Sequence, residues 1–320
     1  MEAFVDPYAS EPWCLCPRTA VKLSALDRAI FSTVAYRDVF EFAPTIGEIH
    51  RYLHGVRCPE KDVRQALENG PLLSEHLITD GTFFALRGRD ELFALRARRQ
   101  LQVQRFWPLA LKYGRILANF PHVRMVGITG SFAAKNVRED CDIDFMLLTD
   151  AGAMWRTRAL AMTSALFNRK FGNKKFCPNV FLSLAALNLE RKSLYDAQEI
   201  TQMIPLFGRN HYAELRRANR WTEEYLPNAA GSPDEDHSVV PPLPRLKSLV
   251  EWGSGSVIGR MLENFEAKRK IHRFNETDRL KGAWTKSTRE THSLRDYIRQ
   301  DIESAWRRRL AALDTTEAQE

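Results

Sequence analysis

Long apolar segments and regularly spaced cysteines are both missing from this 320-residue sequence. No run approaches the roughly 18 consecutive apolar residues that a membrane-spanning helix needs, so we expect no membrane partner. The chain also begins without the charged-then-apolar pattern of a secretory signal. Its cysteines are scattered and odd in number, which favours free thiols in a reducing compartment. We therefore predict a cytoplasmic protein. The cysteines are Cys14, Cys16, Cys58, Cys141 and Cys177.

Net charge leaves the choice of partner open. The formal charge is +7, and the length allows two or three domains with cores of their own. A basic balance is compatible with a nucleotide or nucleic-acid partner and equally with simple solubility.

Residues 123–150 contain the most informative pattern in the chain. Residues 123–128 are mainly apolar and rich in β-branched side chains, which predicts a short buried strand. Gly130 then ends the strand, and the residues after it can start a helical turn. Residues 142–148 predict a second buried strand, which opens with two acids separated by one apolar residue.

Those two acids point to a metal site. Asp142 and Asp144 are two positions apart in a predicted strand, so their carboxylates project from one face. Neighbouring carboxylates repel each other unless a cation lies between them. Mg²⁺ (or Mn²⁺) suits this position because it takes carboxylate oxygens and keeps other positions for water and substrate phosphates. Gly130 lets the backbone approach a phosphate, and Ser131 adds a hydroxyl. The stretch predicts a site for a metal–triphosphate.

The order of these parts resembles the signature of the DNA polymerase β-like nucleotidyltransferase superfamily. The segments GSFAAKN and CDIDFMLLTD carry the resemblance, which covers residues 121–228. It implies an α/β (α+β) fold, the nucleotidyltransferase fold, with a mixed sheet and flanking helices. It also implies Mg²⁺- or Mn²⁺-dependent transfer of a nucleoside monophosphate from a nucleoside triphosphate (NTP) to a hydroxyl acceptor, which a nucleic acid or a protein could supply.

The resemblance also implies roles for individual residues. Asp142 and Asp144 would be the catalytic pair that holds the metal. Gly130 and Ser131 would hold the terminal phosphates. Lys135 would neutralise charge on the leaving pyrophosphate, the alternative being a solvent-facing helix residue.

The next predicted strand, residues 174–184, departs from the family pattern. Active members usually carry a third carboxylate there, whereas this strand contains no Asp or Glu. Its central polar residue is Asn179, which we expect to bind nucleotide and to face the two acids. Val180 and Leu182 are then expected on the opposite face. Lys175 is a further candidate for neutralising the pyrophosphate.

Two explanations compete for the missing carboxylate. An acid from a loop or helix could complete the site, the candidates being Glu139, Asp140, Asp196 and Glu199. Otherwise the domain binds nucleotide and one metal but turns over slowly or not at all, because an amide cannot take a proton.

Composition and pattern divide the whole chain into consecutive segments. We predict an extended lead-in (1–19), a winged-helix-like domain (20–88), a connecting helix (89–120), the nucleotidyltransferase domain (121–228), a Pro- and acid-rich linker (229–244), a helical C-terminal region (245–313) and a polar tail (314–320). The resemblance to the superfamily implies that the C-terminal helices serve as a lid or bind the acceptor.

The N-terminal segment shows three helix starts, at Ser24, Thr45 and Pro59, and then a hairpin around Asp80 and Gly81. This order resembles a winged helix-turn-helix. The third helix is nearly neutral, although phosphate contacts supply most of the affinity for DNA. We therefore expect a docking or structural role, with DNA binding as the alternative.

The arginine-rich connecting helix also has two interpretations. Its arginines form either a solvated face or a basic strip that meets triphosphate or a nucleic-acid acceptor. A rival function follows for the whole chain: a regulator in which a degenerate transferase domain holds nucleotide and the winged helix binds DNA or a protein.

Overall fold

The computed structural model describes residues 23–170, 175–233, 239, 241, 243–254, 256–280, 287–293 and 298–318. These residues form a mixed α/β protein with a five-stranded mixed sheet and a small antiparallel sheet. The lead-in predicted for residues 1–19 lies outside the described residues, as do residues 234–238 of the predicted linker. None of the helices in this part of the chain combines the length and the apolarity that crossing a bilayer requires.

The N-terminal unit, residues 23–88, contains the three predicted helices and the hairpin. Ser24 and Thr45 begin the first two helices with capping boxes, in which the side chain and the backbone of the cap both bond to the residue three positions on. A further short helix precedes the hairpin. The elements are α1 (Ala25–Asp38), α2 (Ile46–Arg51), α3 (Glu60–Asn69), α4 (Leu72–Glu75), β1 (Leu77–Thr79) and β2 (Phe84–Leu86).

The predicted connecting helix is present as α5 (Glu91–Ala118), with Pro108 inside it. The central and C-terminal elements follow in order: β3 (Val123–Thr129), α6 (Gly130–Ala133), β4 (Ile143–Thr149), α7 (Met154–Lys170), β5 (Phe176–Ser183), α8 (Leu194–Gln202), β6 (Ile204–Phe207), α9 (Arg209–Ala218), α10 (Thr222–Tyr225), α11 (Pro244–Ser254), α12 (Val257–Leu280), β7 (Thr291–Ser293) and α13 (Ile298–Ala318).

The large sheet has the strand order β6-β3-β4-β5-β7. β4 and β5 are parallel, and the other neighbours are antiparallel. Because successive side chains of a strand alternate between faces, the sheet has an apolar core on each side. One core joins Phe145 to Tyr113 of α5 and Trp155 of α7. The other joins Met146 to Tyr212 of α9.

Two elements after β5 differ from the prediction. The segment at Pro205 was expected only to end a helix, but it forms β6 at the end of the sheet, where a residue without an N–H is tolerated. The single helix predicted for residues 211–226 is two helices, α9 and α10. Asn219 separates them, because its side-chain amide donates to the carbonyl of Leu215 at 2.8 Å.

The C-terminal region also departs from its predicted boundaries. Helix was expected over residues 293–313, but Ser293 belongs to β7, which pairs with the otherwise open edge of β5. The tail predicted from residue 314 is wrong as well, since α13 continues to Ala318. This helix returns to the N-terminal unit. Trp306 donates its indole N–H to the carbonyl of Ser32 at 3.1 Å, and Arg309 pairs with buried Asp38 at 2.5 Å.

Candidate functional site

Strand pairing brings three polar side chains to one face of the sheet. Asp144 lies opposite Thr129 of antiparallel β3 and opposite Cys177 of parallel β5. Directly opposite residues of paired strands project to the same face, with Cβ atoms about 5 Å apart. The Asp144 carboxylate therefore lies between a hydroxyl and a thiol in a row across three strands.

The Gly-Ser segment begins where this row ends. Gly130 and Ser131 open α6 directly after Thr129, the residue that pairs with Asp144. Gly130 has φ +62°, a left-handed conformation that glycine adopts without the steric cost of a Cβ atom. The fold thus brings the two halves of the sequence pattern, which are separate in the chain, to the same end of β3 and β4.

The two acids differ in their surroundings. Asp144 is only 2% exposed, whereas Asp142, immediately before β4, is partly buried. A buried carboxylate is costly unless hydrogen bonds or a cation compensate it. Asp142 and Asp144 offer only hard oxygen ligands, which is the donor chemistry that Mg²⁺ and Mn²⁺ prefer.

Lys175 holds the loop that leads into Asp142. Its ammonium group donates to the carbonyl of Glu139 and, at 3.1 Å, to the carbonyl of Cys141. It also lies 4.3 Å from the centre of the Phe106 ring, a cation–π distance. The structure thus places Lys175 beside the Asp142 loop.

Lys135 follows α6, and its backbone is hydrogen-bonded to α5. It has φ +56°, and its carbonyl accepts a hydrogen bond from Arg96 of α5 at 2.9 Å. The next residue, Asn136, accepts from Arg99 at 2.9 Å and donates to the carbonyl of Phe40 at 2.8 Å. The segment behind the Gly-Ser turn is therefore fixed by α5 and by the N-terminal unit.

Arg96 and Arg99 match neither interpretation of the arginine-rich helix. Both are buried, so they belong neither to a solvated face nor to an open basic strip. Arg96 pairs with Glu48 at 2.8 Å, and Arg99 pairs with Glu41 at 2.7 Å. The sequence did not indicate this role because both partners lie more than 40 residues away in the chain.

The predicted orientation of Val180 and Leu182 in β5 is wrong. Phe145 pairs with Pro178, but the next residue of β4, Met146, pairs with Val180, so Asn179 is an extra residue in a β-bulge. Val180 and Leu182 consequently lie opposite Met146 and Leu148, on the face of Asp144 and not on the opposite face. Pro178 cannot donate to the ladder, which fits an irregular pairing here. Asn179 itself is buried, and Cys177 is the residue directly across from Asp144.

The candidates for a third carboxylate have other contacts. Asp196 accepts a hydrogen bond from the Ser193 hydroxyl at 2.6 Å, and Glu199 accepts one from Gln202 at 3.0 Å. Glu139 lies 3.9 Å from Arg105, and Asp140 lies 3.6 Å from Arg138. Across the described ranges, no three or more His, Cys, Asp or Glu side chains form a group that could hold a metal ion.

A second polar cluster, which sequence reasoning missed, lies at the opposite end of β3 and β4. His122, at φ +64°, bonds through Nδ1 to Asp150 at 3.0 Å and through Nε2 to the Ser254 hydroxyl at 2.7 Å. The order Ser–His–Asp resembles a nucleophilic triad, but the Arg156 guanidinium lies 3.0 Å from the same Nε2. A neighbouring cation opposes the imidazolium that a general base must become. We therefore interpret the cluster as a structural link between α11 and the sheet.

Asp150 is the anionic centre of that cluster. Arg124 donates to both of its carboxylate oxygens, at 2.7 and 2.5 Å. Burial raises the pKa of Asp150, but the hydrogen bonds from His122 and Arg124 outweigh burial and hold the pKa well below its usual range. The folded state thus favours the ionised carboxylate.

We expect Asp150→Asn to lower the free energy of unfolding at pH 7 by about 2 kcal/mol, since the two charge-assisted hydrogen bonds from Arg124 are weakened. The native pKa lies below the unfolded value of about 3.9. This stabilisation is therefore complete above that value and is lost progressively as pH falls from it towards the native pKa. Urea unfolding of both proteins between pH 7 and pH 3 measures the difference. Asp140→Asn, at an exposed ion pair, is the control. A difference that stays constant with pH would contradict the assignment.

Comparison of the chain with protein-family models, with curated proteins and with solved structures finds no match in any of the three.

Proposed function

We propose that this protein is a nucleotidyltransferase that uses Mg²⁺ or Mn²⁺ to transfer a nucleoside monophosphate from an NTP to a hydroxyl acceptor. The observation that supports this most directly is the pairing of Thr129 with Asp144. It brings the Gly-Ser turn and the Asp-x-Asp strand to one end of the sheet, as a site for a metal-bound triphosphate requires. The mixed sheet and its flanking helices also agree with the general architecture that the resemblance implies.

Each residue of the site has a distinct role in this proposal. Asp142 and Asp144 hold the metal, which when bound offsets the negative charge of the triphosphate. Gly130 allows close approach of the phosphates, and Ser131 donates its hydroxyl to them. The acceptor oxygen forms a bond to the α-phosphorus, the bond to the bridging oxygen breaks, and pyrophosphate leaves. The hydroxyl proton passes to water.

Three further predicted residues act beside the two acids. Lys135 neutralises charge on the departing pyrophosphate, while its carbonyl is held by Arg96. Lys175 positions Asp142 through its bonds to the preceding loop, a role that the sequence did not suggest. Asn179 contacts the nucleotide from the bulge of β5.

The N-terminal unit fits a winged helix that docks a partner better than one that reads DNA. In its third helix, α3, Arg64 pairs with Glu60 at 3.0 Å, which reduces the positive charge available to phosphates. The unit is also fastened to the rest of the chain: Arg37 donates to Gln198 at 3.1 Å, and Gly55 donates to the carbonyl of Tyr225 at 2.8 Å. We propose that it positions a nucleic-acid or protein acceptor near the site.

Pyrophosphate release tests the proposal. The full chain, incubated separately with each of the four NTPs, with Mg²⁺ or Mn²⁺ and with an RNA oligonucleotide or a protein extract as the hydroxyl acceptor, is expected to release pyrophosphate from at least one of them. Chelation of the metal should stop the release. The control is Asp142→Asn combined with Asp144→Asn, prepared identically, which excludes a contaminating enzyme. Absence of both nucleotide binding and pyrophosphate release would refute the proposal.

One observation favours a second function. Cys177, not a carboxylate, lies across from Asp144, and a thiol is a poor ligand for Mg²⁺. The protein would then be a regulator in which nucleotide binding controls a DNA or protein contact of the N-terminal unit. Metal-dependent NTP binding without pyrophosphate release under any of these conditions would favour this alternative.

A further inference from the structure

Helices α11 and α12 expose a large apolar surface. We call it the α11–α12 surface and define it by its exposed apolar side chains: Leu243, Leu246, Leu249, Val250, Trp252, Val257, Ile258, Met261, Leu262 and Phe265. Single exposed apolar residues are ordinary, but a row of them along one face of a helix is typical of an interaction site. The surface therefore needs an occupant.

The outward stripe of α12 changes character along its length. Ile258, Met261, Leu262 and Phe265 follow one another at helical spacing, so they share one face. The same stripe continues with exposed Lys268, Arg269, His272 and Arg273. An apolar half is thus followed on the same face by a basic half.

The acids of the apolar part of these helices, residues 243–265, face the other way. They are Glu251 and Glu263. Glu251 bonds to Arg124 at 3.1 Å, and Glu263 accepts from the backbone N–H of Trp155 at 2.9 Å. The exposed charged residues of the same stretch are Arg245 and Arg260. The outward side of this stretch is consequently apolar and cationic. In the basic half of α12, Arg269 pairs with Glu266 and His272 with exposed Glu276, which leaves Lys268 and Arg273 in excess over the acids.

Trp252 stands at the end of α11 and is 84% exposed. A tryptophan prefers the boundary between lipid and water, where its ring is apolar and its N–H stays hydrated. Helices that lie on membranes combine such residues with Lys and Arg beside the apolar face. The α11–α12 surface has both features.

We propose that the α11–α12 surface docks on an anionic lipid bilayer, with its apolar side chains in the boundary region and its basic residues against the headgroups. The helices lie on the bilayer and do not cross it, in agreement with their hydropathy. Charge complementarity selects this occupant. Nucleic acid would match the basic residues but not the apolar ones, and a second copy would oppose one cationic surface to another.

Vesicle sedimentation tests this with the full chain. We expect it to bind phosphatidylcholine vesicles containing about one third phosphatidylserine at least about 10-fold more tightly than pure phosphatidylcholine vesicles. Added salt should reduce the difference, because it screens the headgroup charge. Equal binding to both compositions, or binding to neither, would overturn the proposal.

Two variants separate the apolar and the charged contributions. Phe265→Ser should weaken binding to the anionic vesicles by about 10-fold, since it removes one large apolar side chain that would be buried in the bilayer. Arg260→Glu should remove most of the preference for phosphatidylserine. The matched control is Leu101→Ser on α5, because Leu101 is 64% exposed and Phe265 is 63% exposed. If Leu101→Ser weakens vesicle binding as much as Phe265→Ser does, the α11–α12 surface is not the part of the protein that binds the bilayer.

Light scattering of the free protein tests the rival occupant. A dimer that Phe265→Ser dissociates and that vesicles do not compete with would assign the surface to a second copy and overturn the lipid proposal. A monomer that binds vesicles supports it. The Asp144→Asn variant should bind vesicles as the wild type does, so failure of the proposed enzymatic function would not affect this result.

Discussion

Replacing Asp144 with Asn should reduce metal-dependent binding of NTP by at least about 100-fold. The substitution keeps the size of the side chain but removes the negative charge that a divalent cation requires. Asp144 is buried in the row between Thr129 and Cys177, where water cannot easily replace a lost ligand. Asp142→Asn should have a similar but smaller effect, because Asp142 is more exposed.

Calorimetric titration of each NTP, with Mg²⁺ and with a chelator, measures this change. Asp90→Asn is the control, since Asp90 is exposed and precedes α5, away from the two acids in the chain. Circular dichroism and a thermal melt without metal establish that the variants are folded. Unchanged metal-dependent affinity in Asp144→Asn would remove the metal assignment and with it the proposed function.

The sequence alone was sufficient to predict the helices and strands whose signals lie within a few neighbouring residues. Ser24 and Thr45 begin α1 and α2 because a capping box needs only residues three positions apart. The strands before Gly130 and after Asp142 were identifiable because each is a short and mainly apolar run. The place of the candidate site in the chain followed from these local patterns.

Long-range pairing could not be predicted in the same way. The bulge at Asn179 arises between β4 and β5, and its effect on Val180 and Leu182 is invisible in the sequence of β5 alone. Likewise, β7 forms because β5 leaves an edge open, and Arg96 is buried because Glu48 approaches it from another element. Each of these depends on residues far away in the chain.

The α11–α12 surface likewise could not be predicted from the sequence alone. The sequence excluded a spanning helix because no apolar run was long enough, and we expected no membrane partner on that ground. Hydropathy of a short amphipathic helix is the same whether its apolar side faces a core or the solvent. Only the three-dimensional structure distinguishes Phe265, which is exposed, from Ala267, which packs in the core.

The position of Cys177 leads to the second large effect. If the missing carboxylate belongs directly across from Asp144, Cys177→Asp should supply it and raise the rate of pyrophosphate release by about 100-fold, the scale of a positioned general base. The new charge would stand beside an existing carboxylate, so the variant should be less stable than the wild type without metal. Mg²⁺ or Mn²⁺ should restore that stability, because the cation binds only the folded site.

Two further variants make this result specific. Cys177→Asn has nearly the same shape as Cys177→Asp without the charge, so it should neither speed release nor acquire metal-dependent stability. Asn179→Asp, in the bulge, is expected to have the smaller effect, because the pairing of β4 and β5 puts Cys177 and not Asn179 opposite Asp144. Pyrophosphate release and thermal melts across a metal titration compare the three. If Asn179→Asp accelerates release and Cys177→Asp does not, the bulge turns Asn179 toward the two acids. The missing third carboxylate then belongs at position 179 and not at position 177.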